Sequence, residues 1–188
     1  MARVFVITGP SGVGKGTVIR GLRERLPELE LTVSATTRRP RPGEHDGVDY
    51  HFLTPEEFEA HVAAGDFLEH AEYSGHRYGT LRSEVDRRLA SGTPVVLEIE
   101  VQGARQVRQA MPESVAVFIA PPSMEALRTR LIGRGTDSPE QVQARLKTAE
   151  RELQAASEFR KVVVNDRLEE AIDALVKTVR AELEPLPP

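Results

Sequence analysis

Arg3-Val4-Phe5-Val6-Ile7-Thr8-Gly9-Pro10-Ser11-Gly12-Val13-Gly14-Lys15-Gly16-Thr17-Val18-Ile19 is the stretch whose reading decides the fold. Its first third, Arg3 to Thr8, is a β-branched and apolar run that reads as a buried strand. The strand gives way to glycines, and Val18, Ile19, Leu22 and Leu26 then recur at helical spacing until Pro27, so the turn opens a helix. Strand, glycine loop, lysine and helix in this order form the P-loop or Walker A pattern. Glycines let successive backbone N–H groups point at phosphate oxygens, and the helix N-terminus adds partial positive charge. Gly9, Pro10, Ser11, Gly12, Val13, Gly14, Lys15, Gly16 and Thr17 are therefore expected to bind a nucleotide triphosphate, with Lys15 over the β and γ phosphates. The strict pattern has Ser or Thr directly after the lysine. Here Gly16 stands there, which moves the expected magnesium-binding hydroxyl to Thr17.

Outward from this unit the apolar runs Pro94–Glu100, Val115–Ala120 and Lys161–Val164 alternate with helical patterns, as in a parallel sheet buried between helices. Between about Thr36 and Thr80 the texture changes: Pro40, Pro42, Gly43, Gly47, Gly65, Gly75 and Gly79 cut the chain into short pieces, read as an inserted subdomain of small strands. Inside it Thr54-Pro55-Glu56-Glu57 carries an N-cap threonine, a first-turn proline and a glutamate three residues on, so a helix starts there and ends near Gly65. Ser138-Pro139-Glu140-Gln141 repeats that logic, Asp166 with Glu169 is expected to cap a last helix, and Ser123 a helix carrying Arg128 and Arg130. The fold class is α/β: a P-loop parallel sheet flanked by helices, with a small mixed insertion and a helical lid.

Composition excludes several rivals. The 188 residues suffice for one buried core. Hydrophobic residues at 39% and charged ones at 29% place the chain among soluble globular proteins. A net charge of -4 gives no global field for a nucleic-acid backbone, and the absence of tryptophan and low aromatic content give no platform for stacking bases. Absence of cysteine removes disulfides and thiolate metal sites and fits a reducing cytoplasm. The early apolar run Val4–Ile7 is far too short for a signal peptide or a membrane span, so no membrane attachment or processing is expected. His45, His51, His61, His70 and His76 are scattered through the insertion without a metal-ligand partner.

After the glycine loop the chain reads Ser34-Ala35-Thr36-Thr37-Arg38-Arg39-Pro40-Arg41-Pro42-Gly43-Glu44 and Gly47-Val48-Asp49-Tyr50. It continues with Phe67-Leu68-Glu69, Tyr78-Gly79-Thr80, Gln102-Gly103, Ala120-Pro121-Pro122-Ser123, Gly133-Arg134-Gly135-Thr136 and Val164-Asn165-Asp166. In these motifs and their order the sequence resembles the guanylate kinases over nearly its whole length. The resemblance implies transfer of the γ-phosphoryl group of ATP to GMP, giving ADP and GDP, with Mg2+ as cofactor, in purine nucleotide metabolism and GMP recycling. It also implies one domain over 1–184: a core of 1–34 and 81–184, a GMP-binding insertion over 35–80, a lid over about 124–150, and a tail over 185–188.

By resemblance Arg38 and Arg41 hold the GMP phosphate, helped by Ser34 and the hydroxyls of Tyr50 and Tyr78. Both arginines sit in a glycine- and proline-rich loop with no core in view, and two fixed guanidinium forks suit a phosphate dianion. Guanine presents N1–H and its exocyclic amine side by side, so the carboxylate of Glu69 can accept from both, with Thr80 as a second contact. A site built this way rejects an analogue lacking the donors by roughly four to five orders of magnitude. Glu98, at the end of a buried run, is the expected magnesium-side acid, direct or through water; Glu100 follows on the same side and by resemblance faces guanine or the acceptor side. Each is one methylene longer than the aspartates often found there.

Arg130, Arg134 and Arg145 are implied as lid residues that meet the transferring phosphoryl group. Against this stands the abundance of arginine: Lys15, Lys147, Lys161 and Lys177 are the only lysines among 25 basic residues, so many arginines must be plain solvated charge. Asn165 is either the family's adenine-side contact or a turn former before a helix. Three alternatives stay open from sequence: a non-catalytic guanylate kinase-like interaction module, a related P-loop kinase with another acceptor, and a P-loop GTPase, although no base-reading Asn-Lys-x-Asp run follows a strand. So do dGMP as a second acceptor and the choice of monomer or homodimer.

Overall fold

In the computed structural model, which describes residues 3–73, 75–133 and 138–184, the strand β1 (Val4–Thr8) is buried at every position. Its alternate side chains feed two cores. Phe5 and Ile7 pack with Val18, Ile19 and Leu22 of α1 (Lys15–Arg25) and with Ile172, Leu175 and Val179 of α7 (Leu168–Leu183). Val4 and Val6 pack on the other face with Val101, Ala104 and Val107 of α4 (Val101–Ala110). A strand of period two covered on both sides must be apolar throughout, which is why the run reads as unbroken hydrophobicity.

β1 is the centre of a parallel sheet of order β2-β7-β1-β8-β9, formed with β2 (Glu30–Leu31), β7 (Val95–Glu98), β8 (Val115–Ala120) and β9 (Lys161–Val164). The chain leaves β1 toward one side of the sheet and later fills the other. A crevice therefore opens at the carboxyl end of β1, the usual ligand position in such sheets. Register pairs Ile7 with Glu98, so that acid stands next to the strand end that feeds the glycine loop.

The second sheet is small and mixed, in the order β4-β3-β6-β5, built from β3 (Ala35–Thr36), β4 (His51–Phe52), β5 (Phe67–Tyr73) and β6 (His76–Leu81). β3 and β4 are parallel, the other pairings antiparallel. The helix α2 (Pro55–Ala64) seals it, with Phe58 stacked on Phe67 at 4.4 Å between ring centroids. α2 begins where its spacing requires. The Thr54 hydroxyl accepts from Glu57 N–H at 3.2 Å, the Glu57 carboxylate accepts from Thr54 N–H at 2.7 Å, and the helix stops at Gly65, left-handed at φ 73°. α3 (Arg82–Ala90) leads back to the parallel sheet. α5 (Met124–Gly133) and α6 (Pro139–Gln154) share a core of their own, Leu127, Leu131, Val142, Leu146 and Ala149. Ser123 accepts from Ala126 N–H at the head of α5, and Ser138 with Gln141 forms a capping box for α6.

Sequence and structure part in four places. The expected strand Pro94–Glu100 pairs only over Val95–Glu98, and Glu100 becomes the N-cap of α4, its Oε1 accepting from Gly103 N–H at 2.7 Å. β2, two residues long, carries too little pattern to be read. The expected cap Asp166 is displaced: Asn165 N–H still pairs with Ala120 O at 2.8 Å, so the chain leaves the sheet late and Arg167 takes the N-cap position, without a side-chain capping bond. Arg38, expected in a loop without a core, is packed, as described below. Arg134 and the tail 185–188 lie outside the described residues.

The reciprocal cap of α2 generates a prediction. Thr54→Ala should lower global stability by about 1 kcal/mol, the usual cost of a lost N-cap, measured by urea unfolding followed by circular dichroism. An unchanged midpoint would show that the cap contributes nothing.

Candidate active site

The loop from Gly9 to Gly14 is shaped by its glycines, with Gly9, Gly12 and Gly14 at φ 144°, 87° and 94°. A Cβ on Gly9 would collide with the carbonyl oxygen of Ile119 in β8, so the loop lies directly against the neighbouring strand. Gly14 is the N-cap of α1 and has no side chain with which to cap it. The first amide hydrogens of a helix have no intrahelical acceptor, so they are available to an anionic ligand. Lys15 folds back on this loop, its Nζ donating to Gly9 O at 2.6 Å and Pro10 O at 3.3 Å.

A concavity of about 340 Å³ is walled by Ser11, Gly12, Gly14, Lys15, Gly16, Thr17, Arg20 and Glu98. Its two departures from the common pattern face each other: a Cβ on Gly16 would stand 3.6 and 3.7 Å from the carboxylate oxygens of Glu98. The longer acid thus reaches over the position where a hydroxyl is missing. Burial pushes the Glu98 carboxyl above its ordinary range, and the charge of Lys15 opposes that rise. Thr17 and Glu98 offer hard oxygen donors, which suits Mg2+. Among the described residues no group of three or more acidic or histidine side chains forms a metal cage, so further ligands would have to come from phosphate and water.

A second cavity, about 290 Å³, adjoins the first and shares Ser11, Lys15 and Glu98 with it. Its other walls include Ser34, Tyr50, Glu69, Tyr78, Glu100 and Glu152. Glu69 is 4% exposed, and its Oε1 accepts from the buried hydroxyl of Thr80 at 2.7 Å. Gly103 of α4 permits this approach, because a Cβ there would collide with the Glu69 carboxylate. Burial pushes the Glu69 carboxyl up to about 7; the Thr80 hydroxyl opposes the shift and the charge of Glu100 reinforces it. Tyr50 and Tyr78 meet edge to face at 6.2 Å, and burial raises the Tyr50 phenol, so its hydroxyl keeps its proton.

A family model described as guanylate kinase matches residues 1–182. The chain is 55% identical over 177 residues to the guanylate kinase of Synechococcus sp. (strain CC9311), covering 94% of this chain and 93% of that one. To the guanylate kinase of Thermobifida fusca (strain YX) it is 54% identical over 179 residues, 95% and 91% of the two chains. The crystal structure of guanylate kinase from Anaplasma phagocytophilum superposes with a TM-score of 0.79 at 34% identity, covering 98% of this chain and 87% of that one. The chain belongs to the guanylate kinase family.

In this guanylate kinase family member the remaining expected site residues are distributed unevenly. Arg38 lies against the Tyr50 and Phe52 rings at 5.2 and 5.8 Å and pairs with Glu44 at 2.9 Å, its side chain only 11% exposed. Arg41 is exposed and does not wall the cavity; its backbone is held by Glu44, whose carboxylate accepts from Arg41 N–H at 2.7 Å and whose N–H donates to Arg41 O at 3.0 Å. Arg130 donates to Val13 O at 3.5 Å and Asp166 O at 3.3 Å, and Arg145 to the Ser11 hydroxyl at 2.8 Å, so two arginines from α5 and α6 reach the phosphate loop. Asn165 is buried, and its amide donates to Val13 O at 2.8 Å. Neither sequence reading of Asn165 describes that: it braces the loop from below.

Sequence reasoning missed Glu44, which holds the backbone and guanidinium of the arginine loop, and Glu152, which accepts from Ser11 N–H at 3.3 Å. The signal for Glu152 was present, since it follows Arg145 by two helical turns and so shares its face. Among the described residues no helix is long and apolar enough to cross a membrane.

Glu69 makes stability depend on pH. Its folded carboxyl, at about 7, lies above the 4.5 of an unperturbed glutamate. The folded state therefore holds the proton more tightly, and this contribution is complete below 4.5 and lost as pH rises to 7. Without nucleotide, Glu69→Gln should gain stability over the wild type across that interval and hold the gain at pH 8, as read by urea unfolding at pH 4.5, 6 and 8. A difference independent of pH would show that Glu69 is not strained.

Proposed function

We propose that this chain transfers the γ-phosphoryl group of ATP to GMP, with the glycine-loop concavity as the donor site and the Glu69 cavity as the acceptor site. The observation that carries the assignment is the shared wall: Ser11, Lys15 and Glu98 belong to both spaces, so groups bound in each meet there. We assign the insertion over 35–80 to GMP binding and the helices over about 124–150 to a lid. The working compartment would be the cytoplasm, and dGMP, which presents the same base edge and phosphate, would be a second acceptor.

In this reading Gly9 to Thr17 hold the triphosphate through backbone N–H groups, and Lys15 moves from the Gly9 and Pro10 carbonyls to the β and γ oxygens. Tyr50, Tyr78, Ser34 and Arg38 hold the GMP phosphate, with Arg41 swinging in from solvent. Glu69 accepts from guanine N1–H and the exocyclic amine while Thr80 steadies it, and Glu100 presents a second carboxylate on the base side. Thr17 and Glu98 would hold the Mg2+ that comes with ATP, which would supply charge neutralisation at the phosphate oxygens. Arg130 and Arg145, already at the loop, turn toward the equatorial oxygens of the phosphoryl group in flight, with Arg134 as the third such residue by resemblance. Asn165 acts through the loop it braces. The protein positions, neutralises and dries the reactants, and no covalent intermediate is required.

Three outcomes are expected in a coupled ADP-release assay. Against an acceptor panel, GMP should exceed AMP by orders of magnitude, and Glu69→Ala should erode that preference; equal wild-type rates on AMP and GMP would refute the base-reading role. Lys15→Met should abolish measurable turnover, and retained activity would remove the loop from the mechanism. Because an ionised Glu69 accepts two hydrogens and a protonated one cannot, KM for GMP should rise as pH falls from 8 to 6. That dependence should vanish in Glu69→Gln.

A further inference from the structure

The helix α6 brings two side chains of opposite charge to one residue of the phosphate loop. Arg145 donates to the Ser11 hydroxyl at 2.8 Å, and two turns later Glu152 accepts from the Ser11 backbone N–H at 3.3 Å. Ser11 walls both the donor and the acceptor space, and Glu152 stands in the acceptor wall beside Lys15, Glu98 and Glu100. The arginine is suited to a polyphosphate; the glutamate is not. A carboxylate taking an amide hydrogen of this loop uses the type of donor that phosphate oxygens require, in the same small volume. Burial pushes the Glu152 carboxyl up and the charge of Glu100 adds to the rise, while Lys15 and the Ser11 amide oppose it.

We propose that Glu152 is a positioning residue that latches α6 to the phosphate loop by standing in for a phosphate oxygen, and that the donor's terminal phosphates displace it. Nucleotide entry is then an exchange of anions at Ser11. The carboxylate gives up the amide hydrogen and the phosphate takes its place. α6 stays tied to the loop through Arg145, which the incoming charge attracts, while Glu152 is repelled. Part of the binding free energy of ATP is spent on releasing the latch, so affinity for the donor is lower than the loop alone would give. No bond is made or broken in this step, and no proton need move.

The inference rests on the loop being the ATP site, and one experiment separates the two ideas. ATP and adenosine are titrated calorimetrically into wild type, Glu152→Gln and Glu152→Ala, without GMP. ATP should bind both variants more tightly, by roughly fivefold or more, with adenosine affinity unchanged. In turnover, KM for ATP should fall in Glu152→Gln. A merely structural role has the opposite sign, because loosening α6 would weaken ATP binding; equal or weaker binding by the variants overturns the latch. If the wild type itself fails to bind ATP, the donor-site assignment falls instead. Should the variants not fold, the wild type decides: the Glu152 carboxyl carbon signal, followed by NMR, should move on adding ATP and stay put on adding adenosine. A signal indifferent to ATP overturns the proposal.

Discussion

The first amide hydrogens of a helix lack the regular intrahelical acceptor, and the fold holds the loop that carries those of α1 at the end of the sheet, with Thr17 N–H turned to Gly14 O at 3.1 Å. Buried donors without acceptors are costly, so the loop cannot sink into a core. It is placed instead at the carboxyl end of the central strand, where the sheet topology opens a crevice, and is braced by contacts to its carbonyls. Asn165 and Arg130 take Val13 O, and Lys15 takes Gly9 O and Pro10 O. These carbonyls are satisfied by the protein, while the loop's Ser11 N–H is taken by the Glu152 carboxylate.

The same division appears in the electrostatics. Glu69, Glu98 and Glu152 line connected spaces, and burial pushes each carboxyl above its ordinary range. With Lys15 as the cation among the walls they share, the site is crowded with acids that have lost water. Such an arrangement is unfavourable until something supplies hydrogens or positive charge. In the proposed function guanine would supply N–H donors to Glu69, and a divalent cation would supply charge beside Glu98. The protein thus holds part of its binding selectivity as electrostatic stress in the unliganded state.

Arginine is used for two separate purposes. Arg88 and Glu84 on α3 pair at 2.7 Å, and Glu84 also takes Val33 N–H at 3.3 Å, fixing the approach to the small sheet. In the proposed function Arg38, Arg130 and Arg145 serve phosphate instead. Nothing in the type of residue separates these uses. Their partners differ: Arg88 is answered by Glu30 and Glu84, whereas backbone carbonyls reach Arg130, the Ser11 hydroxyl is one partner of Arg145, and aromatic faces lie against Arg38. Arg38 shares Glu44 with the backbone of its loop, and so stands between the two classes.

The sequence by itself determined the strand, glycine loop and helix, because the apolar run, the glycine spacing and the lysine are local chemistry acting over neighbouring residues. It also fixed the capped starts of α2, α5 and α6 for the same reason. The identity of Glu69, Tyr50 and Tyr78 as cavity residues was legible through resemblance. Tertiary structure decided what depends on approach between distant segments. It set the short edge strand β2, the late exit at Asn165 that deprived Asp166 of its cap, and the packing of Arg38 on aromatic rings. It brought Gly16 beneath Glu98, and Glu152 onto Ser11 across 141 positions of chain. A side chain's neighbours in sequence carry its backbone preferences, but burial and charge pairing arise only once the sheet has brought remote pieces together, and the strained carboxylates of this site are made of those two effects.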